Sequence, residues 1–414
     1  MRRTLAVLAS VAIAASVLVV ASPAAADSIR DRQYWLNQYG ISSAWNTTKG
    51  AGVTVAVIDT GIDGSHPDLT GQVVAGTDVS GVGGPGGQTP VGSSSEHGTM
   101  VASLLAGHGH GNGAGVIGVA PEAKLLAISM GFGAGNVSSD DQIATAVRWA
   151  VDNGADVINM SLTRNTLEWP ETWDDAFLYA MQHDVVIVAA AGNRGSGTTQ
   201  VGAPATMPGV LTVAGVDRSG NASFDASSQG ITISVAAPSE ELVGALPGGG
   251  YAQWNGTSGA TPLVAGLVAL VRSAHPELDA GNVINRITAT ATQVGPEAVS
   301  PIYGHGRINA AAAVTANVPA VTDDPATQLQ EWIRVYRRAD TVPTQPPSPS
   351  ATPTPAPVAP PVAGPQNPLG TLLPTVDSLR NVGVPLLVYA GFAGLLVAMA
   401  AAAYRSFRRV RDRR

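Results

Sequence analysis

Cysteine is absent from the 414-residue sequence, and charged residues make up only 13% of it. The chain therefore cannot form disulfide bonds, the usual reinforcement of small exported domains. A packed core must stabilise the fold instead. An apolar fraction of 45% over a long ordered region is sufficient to form such a core.

The N-terminal segment 1–26 has the pattern of a secretory signal peptide. Arg2 and Arg3 precede an apolar stretch at 5–20, which is followed by the small-residue sequence "ASPAAA". No twin-arginine consensus surrounds the two arginines, which favours general secretion. The sequence therefore predicts an exported protein.

Charge is missing altogether between Arg380 and Arg405, and the apolar segment 382–404 is long enough to cross a bilayer. The basic tail 405–414 follows it, and positive residues tend to remain cytoplasmic. A buried core helix is the alternative interpretation of 382–404, but the terminal position and the basic flank favour a transmembrane helix. We therefore expect a single-pass cell-membrane protein with an extracytoplasmic body and a cytoplasmic C-terminus.

The exported part is more acidic than the whole chain, whose formal charge is −7, because the tail contains many of the arginines. This acidity argues against nucleic acid or an anionic lipid surface as a partner of the body. Between body and membrane, segment 341–370 contains 11 prolines in 30 residues. Such a segment is typical of a semi-rigid polyproline II spacer, and a ligand for a proline-reading domain is the alternative. The preceding connector, 319–340, is compatible with a short helix over 327–338.

The body alternates between buried strands and helices. One helix is predicted at 138–154, where apolar residues recur with helical spacing between an opening serine and a closing glycine. Strand–helix alternation predicts an α/β fold, a doubly wound, mainly parallel sheet with helices on both faces. The continuous apolar runs that predict strands are 53–59, 123–130, 155–162, 185–193 and 210–217.

Four residues with catalytic side chains fall where this sheet places chemistry, just beyond the strand ends or at helix starts. They are Asp59, His97, Asn193 and Ser258. A serine nucleophile needs an imidazole to remove its proton, a carboxylate to orient the imidazole, and donors for the developing oxyanion. The four residues supply each of these groups once. From its own stretch alone, "NGTSGATPLVAG", an ordinary helix N-cap is the favoured interpretation of Ser258, and only the other three residues shift it to a nucleophile.

Five motifs in order, "AVIDTGID", "HGTMVAS", "GVAPEA", "AAAGN" and "GTSGATPLVAG", resemble the subtilisin-like serine proteases of peptidase family S8. The order Asp, His, Ser separates that family from α/β-hydrolases and from chymotrypsin-like enzymes, a contrast for which subtilisin is the standard example. The resemblance covers about two thirds of the chain. It implies a subtilisin-like fold for the domain at 50–318.

The resemblance also implies roles for particular residues. Ser258 would be the nucleophile, His97 the general base and acid, Asp59 the group that orients the imidazole, and Asn193 the oxyanion-hole donor. No cofactor is implied. The substrate-binding residues that it implies are Ser161, Leu162 and Thr163 beside an extended substrate, and Ala190, Ala191 and Gly192 around the residue before the cut.

The overall layout is similar to that of the mycosins, membrane-anchored subtilases associated with type VII secretion. The N-terminal extension, 27–49, is too short for the folded inhibitory propeptide of many relatives and runs directly into the domain. Mycosins commonly contain disulfides, which this chain cannot form. Gly259 is a further departure, since the residue after the nucleophile is usually larger; it either widens the space beside Ser258 or is tolerated drift.

No metal site is predicted. His108 and His110 lie in the glycine-rich stretch "HGHGNGAG", where a mobile solvated turn is more common than a metal site, and Asn112 supplies the only side-chain oxygen in that stretch. Asp63 and Asp68, which flank His66 and Pro67 in a predicted turn, are interpreted as structural.

Together these features predict a membrane-anchored serine endopeptidase that processes exported proteins in or near a type VII secretion system. The alternative is a docking component of a secretion complex in which proteolysis is secondary. Expected partners are protein or peptide substrates, the membrane and such a complex.

Overall fold

The computed structural model describes residues 28–337. The predicted signal peptide, proline-rich segment, transmembrane helix and basic tail lie outside this range. Among the described residues, no helix combines the length and apolar character needed to cross a membrane.

A seven-stranded sheet, parallel throughout, forms the centre of the fold. All five predicted strands are present, because buried, β-branched runs suit a strand covered on both faces. The predicted α/β class with a mainly parallel sheet is therefore confirmed. From one edge of the sheet to the other, its strands are β2 (Val73–Asp78), β5 (Lys124–Ser129), β1 (Thr54–Asp59), β6 (Val157–Met160), β7 (Val186–Ala190), β8 (Leu211–Val216) and β9 (Val235–Pro238).

The longer helices pack against this sheet in two pairs. Helices α4 (His97–Ala106) and α7 (Thr257–Ala274) contact each other, and α7 also packs against β6 to β9. Helices α5 (Ser139–Asp152) and α6 (Glu171–Gln182) form the second pair. Ser138 caps α5 by accepting a hydrogen bond from the Asp141 amide, which confirms the predicted start of that helix.

Six strands lie outside the set predicted from the sequence, at the sheet edges or in hairpins. β2 has no buried residue and so lacks an apolar run, and β9 has only four residues. β10 (Leu242–Ala245) and β11 (Tyr251–Trp254) form one antiparallel hairpin. β3 (His108–His110) and β4 (Ala114–Ile117) form the other.

The β3–β4 hairpin corrects the expectation of a mobile solvated turn at His108 to Gly115. Asp68 is fully buried beneath it and accepts hydrogen bonds from His110 Nδ1 at 2.6 Å and from the Val116 amide at 2.8 Å. A buried carboxylate with two donors ties the hairpin down, which glycine content alone does not indicate. The structural role expected for Asp68 follows from these contacts.

The N-terminal extension forms three short helices that pack into the main core. They are α1 (Ser28–Asp31), α2 (Trp35–Gln38) and α3 (Ile41–Ala44). Trp35 and Ile41 have no exposed surface. Gln33 exchanges two hydrogen bonds with the backbone of Ile117, at 2.7 and 2.9 Å. The extension is therefore part of the same folded body as the sheet.

Because Trp35 is completely buried, we expect Trp35→Ala to lower the free energy of unfolding by about 3–5 kcal/mol. Urea unfolding followed by circular dichroism measures the difference. Asn37→Ala, an exposed site on the same helix, is the matched control and is expected to change it by less than about 0.5 kcal/mol. Equal stability of the two variants would contradict the integration of the extension into the core.

Three further helices complete the described chain: α8 (Ala280–Ala289), α9 (Ala310–Thr315) and α10 (Pro325–Tyr336). α10 confirms the short helix expected in the connector, beginning two residues earlier than the predicted 327. Asp324 caps it by accepting from the amides of Ala326 and Thr327. Arg337, just after the helix, donates to Asp174 of α6 at 2.8 Å, so the connector packs onto the body.

Candidate active site

The carboxyl end of β1 and the start of α4 bring a carboxylate and an imidazole together. Asp59 is the last residue of β1 and is fully buried, while His97 is the first residue of α4. His97 Nδ1 lies 2.8 Å from Oδ1 and 3.0 Å from Oδ2 of Asp59. The Thr60 amide donates to Oδ1 at 2.7 Å, so the carboxylate is itself held in place. The predicted Asp–His pair is therefore formed.

This contact determines the chemistry of the imidazole. An ionised carboxylate only accepts hydrogen bonds, so Nδ1 carries the proton and Nε2 of the neutral ring has a free lone pair. Burial lowers the pKa of His97, but the charge and hydrogen bond of Asp59, with a smaller contribution from Glu96, outweigh it and raise the pKa above its ordinary value. His97 is thus a stronger base than a free imidazole.

Ser258 lies in the first turn of α7 and does not cap it. The helix begins at Thr257, its N-cap position is Gly256, and no side chain makes a capping hydrogen bond. Instead, Ser258 Oγ donates to the carbonyl of Ser161 at 3.0 Å, and Ser161 Oγ donates to the carbonyl of Ser258 at 2.8 Å. The N-cap alternative for Ser258 is therefore wrong.

A cleft of about 590 Å³ connects these elements. His97 contributes to its wall, as do the predicted substrate-binding residues Ser161, Leu162 and Thr163. The segment from Gly131 to Ala134 lines it as well, and Phe132 there is 47% exposed. Ser161 lines the cleft and is hydrogen-bonded to Ser258, so it connects Ser258 to the cleft that His97 also lines.

Asn193 follows β7 and is hydrogen-bonded to Thr257, the residue that precedes Ser258. Its Oδ1 accepts from the amide of Thr257 at 2.8 Å and from Thr257 Oγ1 at 2.9 Å. These two hydrogen bonds occupy Oδ1 as an acceptor, and the Nδ2 group is the hydrogen-bond donor of the Asn193 side chain. Asn193 and Gly256 both line a second cavity, of about 270 Å³. The structure thus ties Asn193 to the start of α7.

Ala190, Ala191 and Gly192, at the end of β7, are buried and line neither of these two cavities. The Gly192 amide donates to Thr257 Oγ1 at 3.1 Å, which joins β7 to the same turn. Gly192 has a φ of +104°, and a Cβ there would lie 2.5 Å from Thr198 Cγ2, so a side chain would not fit. The substrate-binding role of these three residues stays a prediction.

Two residues that sequence reasoning did not assign to the site adjoin it. Trp254, at the end of β11, packs edge-to-face on His97 with ring centroids 5.5 Å apart. Gly259 is not beside open space: a Cβ there would lie 2.4 Å from Leu242 Cδ1 and 3.3 Å from the Trp254 ring. The only sequence signal was an aromatic residue four positions before the serine.

Within residues 28–337, no three histidine, aspartate or glutamate side chains are grouped so as to hold a metal ion. The absence of a metal site remains an expectation of the sequence.

The family model described as "Subtilase family" (Peptidase_S8) matches residues 50–306. Subtilisin E of Bacillus subtilis (strain 168) is 42% identical over 270 residues, which cover 64% of this chain and 66% of subtilisin E. The chain therefore spans just under two thirds of that relative.

The solved structures that are similar in fold include two MycP proteases. MycP1 from Mycobacterium smegmatis is 31% identical, with a TM-score of 0.60 and coverage of 72% of this chain and 88% of MycP1. The MycP3 protease from the type VII (ESX-3) secretion system is 33% identical, with a TM-score of 0.59 and coverage of 69% and 88%.

Proposed function

Because the chain belongs to the subtilase family, we propose that it is a serine endopeptidase that hydrolyses peptide bonds through an acyl-enzyme. The observation that carries the proposal is the hydrogen bond between buried Asp59 and His97, which lines the same cleft as Ser161, the hydrogen-bond partner of Ser258. Carboxylate, imidazole and serine hydroxyl are the three groups that this reaction requires.

In the proposed mechanism, Ser258 first gives up its hydrogen bond to the Ser161 carbonyl and turns toward Nε2 of His97. The imidazole takes the hydroxyl proton as Oγ attacks the carbonyl carbon of the peptide bond. Asp59 stabilises the imidazolium that forms. The proton then passes to the leaving amine, and a water molecule hydrolyses the resulting ester by the same sequence of proton transfers.

Charge develops on the carbonyl oxygen during the attack, and donors must already face it. We propose the Nδ2 group of Asn193 and the backbone amide of Ser258 for this role. Two hydrogen bonds from Thr257 hold the other end of the Asn193 amide, so little reorientation is needed when the charge forms. Preorganised donors of this kind are the most effective ones.

We propose an extended polypeptide as the substrate, lying between the segment Gly131 to Ala134 and the segment Ser161 to Thr163. Exposed backbone on two sides of a cleft can pair with an added strand. His97 is the only ionisable residue in the cleft lining given above, so neutral substrate side chains suit this part of the site.

The cellular setting that we propose is extracytoplasmic, on a single-pass membrane protein with a cytoplasmic C-terminus. The apolar segments 5–20 and 382–404 and the basic tail support it. Processing of exported proteins at a type VII secretion system is the proposed biological role, supported by the likeness to the MycP3 protease. A docking role within such a complex is the second candidate, favoured by the same likeness.

Labelling with a serine-directed fluorophosphonate tests the proposed activity. We expect the purified full chain to react once, at Ser258, and to lose peptide hydrolysis in proportion to labelling. Peptide mapping by mass spectrometry locates the label, and Ser161, which lines the same cleft, is the internal control that stays unmodified. A wild-type chain that is folded but never reacts would exclude the serine endopeptidase.

A further inference from the structure

The imidazole of His97 is held by hydrogen bonds from one side only. Nδ1 contacts Asp59, whereas the Ser258 hydroxyl donates to Ser161 instead of to Nε2. The His97 side chain is 24% exposed to solvent, so surrounding protein does not enclose it. A contact in addition to the Asp59 hydrogen bond is therefore needed to restrict rotation of the imidazole ring before substrate binds.

Trp254 makes the ring contact that meets this need. Its indole and the His97 imidazole have centroids 5.5 Å apart and planes inclined by 77°, the edge-to-face arrangement that aromatic rings prefer. Trp254 is the last residue of β11. Its backbone pairs with Leu242 in β10, and this pairing fixes the backbone position from which the indole side chain extends.

Two glycines leave the room that the indole occupies. A Cβ at Gly244 would lie 3.2 Å from Trp254 Nε1 and 2.9 Å from Met100 Cβ. A Cβ at Gly259 would lie 3.3 Å from the six-membered ring of Trp254 and 2.4 Å from Leu242. A side chain at either position would push the indole or the β10–β11 hairpin away, and the indole is what meets His97.

The indole N–H gives a second indication. Trp254 Nε1 is buried and has no hydrogen-bond partner among the described residues. A buried donor without an acceptor is unfavourable, and phenylalanine in this place would avoid the cost. The chain therefore retains tryptophan at this position at a cost to stability, which is expected if the longer indole is needed to contact His97.

We propose that Trp254 is a positioning residue that holds the His97 imidazole in line for proton transfer, and that Gly244 and Gly259 are the glycines that admit its indole. The inference rests on the proposed function for its catalytic consequence. The geometric part, a ring held by Trp254, does not depend on it.

The same hairpin offers a matched control. Tyr251, the first residue of β11, packs on His66 with the same geometry, with centroids 5.5 Å apart and planes inclined by 78°. His66 is buried and does not line the cleft. Tyr251→Ala removes an aromatic–histidine contact from the same strand and leaves His97 and its neighbours in place.

For Trp254→Ala in the full chain, we expect kcat to fall about 10- to 100-fold while KM changes little, because small misplacements of a catalytic group have losses of this order. Trp254→Phe, whose ring is shorter than the indole, is expected to recover only part of the loss, and Tyr251→Ala to leave kcat unchanged. Burial lowers the pKa of His97, so removal of the indole is expected to move the acid limb of kcat/KM to higher pH. Steady-state kinetics over a range of pH measures all three.

Nitrogen-15 NMR of the His97 ring provides a readout that needs no activity. We expect one ring conformation in the wild type and in Tyr251→Ala, and exchange broadening in Trp254→Ala. Unchanged kcat and an unchanged ring spectrum in Trp254→Ala, with only a lower melting temperature, would overturn the proposal. Equal kinetic losses in Tyr251→Ala would overturn it too. A wild type that fails to react with the phosphonate would instead refute the proposed function and leave the NMR comparison standing.

Discussion

Replacing Ser258 with alanine is expected to lower kcat for peptide hydrolysis by about 10⁶-fold, the loss measured when the nucleophile of subtilisin itself is removed. The reason is that Ser258 supplies the attacking oxygen in the proposed mechanism, whereas the hydroxyl of its neighbour Ser161 is occupied by donating to the Ser258 carbonyl. Fluorophosphonate labelling should disappear in the same variant. Ser93→Ala, on the wall of the same cleft, is the control that keeps its activity.

The fold should survive this substitution. Ser258 Oγ makes one hydrogen bond, to the Ser161 carbonyl, and losing it costs about 1 kcal/mol. Urea unfolding of Ser258→Ala should therefore give a curve close to that of the wild type. Hydrolysis by Ser258→Ala at the wild-type rate would show that another residue is the nucleophile.

The same variant separates catalysis from docking in cells. If processing is the role, secretion-linked cleavage fails equally in Ser258→Ala and in a strain that lacks the chain. If docking is the role, Ser258→Ala supports secretion and only the deletion stops it. Immunoblots of cell-associated and exported protein distinguish the two results.

Replacing Asp59 with asparagine is expected to lower kcat by about 10⁴-fold, since an amide in this place stabilises the wrong imidazole tautomer and removes the charge that balances the imidazolium. Asp59 is fully buried and both of its oxygens lie within hydrogen-bonding distance of His97 Nδ1, so the substitution changes the group in direct contact with the imidazole. Steady-state kinetics at a pH above the titration of His97 measures this loss.

The pH profile of the same variant tests the assignment more sharply. His97 acts as a base only when neutral, so activity falls as pH drops through its pKa. Burial lowers that pKa, but Asp59 raises it to a net value above the ordinary one, so Asp59→Asn should move the acid limb of kcat/KM to lower pH. Glu96→Gln, which removes a smaller raising charge, should move it in the same direction by less and keep kcat. An acid limb that stays in place in Asp59→Asn would contradict the Asp59–His97 assignment.

The sheet could be predicted well where strands are buried on both faces. β1, β5, β6, β7 and β8 are mainly apolar and buried along nearly their whole length, and the hydrophobic pattern identifies such strands directly. β2 was not predicted because it lies at an edge of the sheet and has no buried residue. The β3–β4 hairpin was not predicted because it depends on hydrogen bonds to the buried carboxylate of Asp68, which lies far from the hairpin in the sequence.

The residue types of the candidate site could be predicted from the sequence, whereas the contacts between those residues could not. Strand ends and helix starts indicated Asp59 and His97, and the mycosin-like subtilase resemblance is confirmed by the family match and the MycP1 and MycP3 structures. The membrane segment, the secretion role and the substrate-binding residues remain predictions. Ser258 illustrates the limit: its local sequence fits an N-cap, yet Gly256 occupies that position.

By itself, the sequence determined the chemistry available to this protein, because residue types, their order and their places at strand ends are local properties. The tertiary structure alone decided which atoms meet. Asp59 and His97 are separated by 38 positions, and Ser161 and Ser258 by 97. Such contacts depend on how α4, α7 and the β10–β11 hairpin pack against one sheet. That packing places Trp254 on His97 and explains Gly259 as the residue that gives the indole room.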